Sequence, residues 1–293
     1  MDPLPETDLK SRMTPGTPLP GFALKLLIPR EHGSWGMWLL PLISGSIAGA
    51  WGSRSFPGWA MLWFFVAALS AFLSYQPLEV LLGSSLFKVR SPAEKHLVMG
   101  WILLMAMIGG MAVFDLVLLG RGRVLWFAAL GIACFAARGQ LGLSRTFRVA
   151  RQILGAFSLS SSAAAAYYVT AGFLDHKGLL LWASNWLFAT GQIEYVQLRV
   201  RAKSAQSRKE KFSAGLNLFA YHLGLLLCAS IVAARHIANP LFALAFIPAV
   251  LRIAAWIMSK SARIDFRLLG FSELFHSLAF NALLLGGILT PHV

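Results

Sequence analysis

The chain has 293 residues, of which 57% are hydrophobic and 13% charged. That charged share is far below the roughly 25% of soluble domains, which excludes an ordinary water-soluble fold and points to lipid as the main solvent. The formal net charge of +14 would suggest nucleic acid in a soluble protein; here charge sorting across a bilayer accounts for it, and nucleic acid is not expected as a partner.

Residues 1–24 (MDPLPETDLKSRMTPGTPLPGFAL) are proline-rich, carry mixed charges and contain no apolar stretch of signal-peptide type. They read as a disordered cytoplasmic tail. Residues 25–293 read as a single polytopic membrane domain. A bilayer helix needs about 20 mostly apolar residues. On that measure about nine spans are expected, near 35–52, 57–75, 97–116, 124–142, 153–173, 178–198, 215–234, 239–258 and 270–290. With the N-terminus in the cytosol, the inward-facing segments hold twenty of the 26 lysines and arginines. That bias follows the positive-inside rule, and the inner (plasma) membrane is the expected location. Cys134 and Cys228 both lie within apolar runs and read as lone core thiols.

In chain order, the polar residues at membrane depth are the functional candidates, because each is costly to insert. Glu79 follows the second span in YQPLEVLLGS, and Glu194 lies near the end of the sixth in GQIEYVQLRV, beside Gln192, Tyr195, Arg199 and Arg201. His222 falls in the seventh span and Arg252 in the eighth. Glu273 and His276 fall in the ninth, three residues apart and so on one helix face. The run SLSSSAAAA at 158–166 suits close packing of helices. No zinc spacing, phosphate-binding glycine loop, haem motif or serine elbow occurs.

At the threshold of the first span the chain reads IPREHGSWGMWLLPLISGSIAGA. This stretch resembles the opening of the UbiA superfamily of intramembrane prenyltransferases. The stretch QILGAFSLSSSAAAAYYVTAG is similar to that superfamily's fifth span. More narrowly, the Pro-Arg-Glu-His-Gly-x-Trp step at Pro29–Trp35 is similar to the YwiC-like family of bacterial membrane proteins. The resemblance implies an all-α, UbiA-like bundle with a cytoplasm-facing cavity for an isoprenoid or other lipid-linked anion. It implies Mg²⁺ as cofactor, held in that superfamily by two aspartate-rich motifs. In those places this chain offers one carboxylate each, Glu79 and Glu194, which become the expected catalytic and metal-binding residues. Arg30, His32, Arg145, Gln192, Tyr195, Arg199, Arg201, His222, Glu273 and His276 are the expected substrate-binding set. The arginines suit direct contact with an anionic headgroup. A transferase is the leading reading. A non-catalytic binder or transporter and a membrane assembly partner stay open beside it.

Overall fold

The computed structural model describes residues 25–29, 32–51, 57–85, 87–141, 147–204, 207–259 and 266–290. The chain is an all-α membrane protein, with no strand among the described residues. The helices are α1 (His32–Ala50), α2 (Gly58–Leu81), α3 (Pro92–Leu118), α4 (Val124–Gln140), α5 (Arg148–Ser160), α6 (Ser162–Ala171), α7 (His176–Arg201), α8 (Arg208–Ala234), α9 (Leu241–Leu244), α10 (Ile247–Met258) and α11 (Phe266–Leu289). Among the described residues, five segments are long and apolar enough to cross a bilayer: α2, α3, α8, the α9–α10 stretch Leu241–Met258, and Leu268–Leu289 within α11. Large apolar side chains stand outward, among them Leu103, Met107, Trp126, Ile132, Leu268 and Phe275. In water such a surface would aggregate; against acyl chains it is the expected coat.

The chain divides into two compact units. The first spans residues 1–30 and 63–115, and so holds most of α2 and α3. Its core gathers Leu26, Leu27, Val80 and Val98. The Trp101 indole nitrogen donates to the Leu73 carbonyl at 3.3 Å, tying α3 to α2.

The second unit spans residues 31–62 and 116–293. Its densest seam joins α1 to α6. Residues 162–170 of α6 are all buried. Gly45 of α1 lies so close to the Ala163 backbone that any Cβ would collide with it, and a Cβ on Gly49 would strike Tyr167 and Thr170. Small residues on both helices allow this approach, as lipid-embedded helices require when packing rather than hydrophobicity holds them. Ser162 Oγ adds a hydrogen bond to the Trp38 carbonyl at 3.0 Å. The expected span 153–173 is two helices, because the chain tightens at Ser161, whose amide bonds the Ser158 carbonyl, three residues back instead of the four of an α-helix. α6 ends at Gly172, where φ is +86°, a conformation that glycine adopts without strain.

α7 starts sharply because Asp175 caps it, accepting from the amides of Lys177 and Gly178. α8 starts on a reciprocal capping box between Ser207 and Glu210. α7 is 26 residues long, about 39 Å at helical rise, and so long enough to cross. Asn185, Gln192 and Tyr195 lie on its buried side. Phe188 of α7 stacks on Phe280 of α11, ring centroids 3.9 Å apart. That core positions the polar residues one to two turns further along α7.

Candidate functional site

Glu194 and Tyr195 are successive residues on α7, about 100° apart around its axis. They face two different cavities, both within the second unit. Tyr195 and Arg199 border a cavity of about 610 Å³ with Arg252, Trp256 and Ser259 of the α10 end and His276 of α11; Pro248, Leu251 and Ala255 complete its apolar wall. Glu194 and Arg201 border a cavity of about 720 Å³ with Ile153, Thr190, Asn217, Leu218 and Tyr221.

The first cavity holds the denser charge network. Arg252 Nη1 donates to Glu273 Oε1 at 2.6 Å, and the two side chains are only 6% and 16% exposed. The Arg252 guanidinium carbon sits 4.1 Å from the centre of the Tyr195 ring, within cation–π range. Arg199 Nη1 donates to the Tyr195 hydroxyl at 3.1 Å. Gln192 Nε2 lies 3.1 Å from the Glu273 carbonyl oxygen and 2.9 Å from Ser277 Oγ, donating to both. His276 Nδ1 contacts the Ser272 carbonyl at 2.6 Å. A carbonyl only accepts, so the proton lies on Nδ1. Behind Ser259, the Lys211 amine donates to the Ser259 carbonyl at 2.7 Å and to its hydroxyl at 3.2 Å. Lys211 is 1% exposed, so it anchors the α8 start to the α10 end rather than lying in solvent.

Of the residues expected from sequence, Tyr195, Arg199 and His276 border this cavity, and Gln192 and Glu273 support it from behind. Glu194 and Arg201 pair with each other at 3.2 Å in the second cavity. His222 is 1% exposed and borders neither cavity. Its ring packs beside Gly191 and meets Tyr221 edge-on at 5.3 Å. Glu79 belongs to the first unit, where its carboxylate accepts from the Tyr75 hydroxyl at 3.0 Å, one turn back on α2. Arg30 and Arg145 lie outside the described residues, and His32 opens α1. Arg252, Lys211, Trp256 and Ser277 are the site residues that the expected set lacks. Arg252 had a signal, as a lone arginine inside a span, but its partner is 21 residues away and only the folded chain joins them.

The donor set does not fit the metal that the resemblance implies. Among the described residues no three His, Cys, Asp or Glu side chains gather as a metal-holding group. Glu194 is occupied by Arg201, and the first cavity presents cations to a ligand instead of carboxylates. Magnesium asks for several oxygen donors at once, and the described residues do not gather such a set.

The family model of the YwiC-like protein matches residues 28–169. This stretch of the chain is YwiC-like. It runs from just before α1 through most of α6, and so contains both sides of the seam at Gly45 and Ala163. The charged network on α7, α10 and α11 lies beyond the YwiC-like stretch. No curated protein matches the chain.

Proposed function

We propose that this protein is a plasma-membrane site for an anion-headed lipid, whose isoprenoid-type tail it transfers to an acceptor as UbiA-like enzymes do. The observation that carries this reading is Arg252. It is buried, it borders a cavity with an apolar side formed by Pro248, Leu251, Ala255 and Trp256, and two of its nitrogens have no hydrogen-bond partner among the described residues. A buried arginine keeps its charge and rewards a ligand that brings oxyanions. Leu251, on the same wall, is exposed, which suits lateral arrival of a tail from the bilayer. The basic stretch from Arg199 to Lys211 supports a cytoplasmic mouth for the cavity.

The headgroup would sit against Arg252 and Arg199, with His276 beside it and the tail along Leu251 and Trp256. Native mass spectrometry of gently purified protein tests the binding, with retention of an anion-headed amphiphile expected. Diphosphate release from farnesyl and geranylgeranyl diphosphate, in magnesium and in EDTA, tests the transfer. Retention without release removes the transfer and leaves a binding protein. Neither retention nor release with any donor overturns the reading.

A further inference from the structure

We propose that the Nε–Nη2 edge of Arg252 is a preset fork for one headgroup bearing two oxygens, a phosphate or a carboxylate, and that Glu273 is the positioning residue that holds it. This rests on the cavity being the lipid-anion site proposed above, and adds the atoms that grip the headgroup. A guanidinium carries five N–H donors in one plane, and Nε with Nη2 makes a two-pronged edge that matches a carboxylate or phosphate. Glu273 engages the opposite side, through Nη1 at 2.6 Å. Nε and Nη2 have no hydrogen-bond partner among the described residues, and neither does Glu273 Oε2. The pair is therefore single-pronged, with the gripping edge of the arginine left unused.

Buried donors without acceptors are costly, so their persistence in one residue needs a cause. A ligand with two oxygens satisfies both donors at once. The surroundings fix the guanidinium in advance. Tyr195 covers it at 4.1 Å, and Arg199 holds the Tyr195 hydroxyl. Gln192 ties α7 to the Glu273 backbone carbonyl, so the residue that aims Arg252 is pinned at its main chain. Contacts from α7 and α11 thus hold one arginine of α10 with that buried edge unpartnered, and preorganisation of this kind lowers the ordering cost of binding. A lysine in its place would keep the charge and lose the fork.

The test uses the full chain in nanodiscs with farnesyl phosphate, farnesoic acid and farnesol as probes. The two anions are expected to bind wild-type protein, and the alcohol, with no second oxygen, is not. Arg252→Lys is expected to weaken both anions about tenfold or more, with monodisperse elution confirming its fold. Glu273→Gln keeps an acceptor for Nη1 and removes the competing negative charge, so the anions are expected to bind several-fold tighter. That second variant stands even where the lysine variant does not fold. Wild-type protein that binds neither anion removes the lipid-anion reading and the fork with it. Wild-type binding that Arg252→Lys or Glu273→Gln leaves unchanged overturns the fork alone.

Discussion

Arg252–Glu273 and Arg201–Glu194 are the same chemical pair on two sides of α7, in opposite settings. The first is 2.6 Å long with side chains 6% and 16% exposed; the second is 3.2 Å long with side chains 63% and 31% exposed. An open pair gains little, because water screens it and two long side chains lose freedom. A buried pair is held in place by the penalty for breaking it. The comparison teaches that the position of a carboxylate along α7 or α11 says less about its role than the dryness of its surroundings.

The contrast predicts a graded series. Glu273→Ala leaves the buried arginine without its carboxylate and is expected to cost about 3–5 kcal/mol, read as a lower midpoint in a denaturing-detergent titration. Lys211→Met removes the donor that ties the α8 start to Ser259, at about 1–3 kcal/mol in the same titration. Replacing both partners, Arg252→Met with Glu273→Met, is expected to restore stability to within about 1 kcal/mol of wild type. The double variant should bind no farnesyl phosphate, which separates the stability of the pair from its use. Arg201→Ala is expected to change stability by less than about 0.5 kcal/mol, and added salt should erase the difference. An Arg201→Ala effect as large as that of Glu273→Ala would break the comparison.

Helical, lipid-facing character was readable from composition, and the shared face of Glu273 and His276 from their spacing. The pairing of Arg252 with Glu273 was not readable, since it depends on how α10 lies against α11. Lys211 shows the opposite error. It stands in a basic run, where a lysine is expected to reach solvent, yet it is 1% exposed and bonded to Ser259. Helix geometry alone, at about 100° per residue, already separates Glu194 from Tyr195. Reading them as neighbours in one site followed their adjacency in sequence. The Ser161 break was hidden for a different reason: serine and alanine fit either a continuous helix or two short ones.

The seat of α1 on α6 has a use in reading other sequences. Position 45 admits no atom beyond hydrogen, because the Ala163 backbone occupies the place of a side chain. Any chain that shares this architecture must therefore keep glycine there and a small partner across from it. Where a bulky residue stands at that point, its opening span has moved to another berth, and the arrangement described here should not be transferred to it.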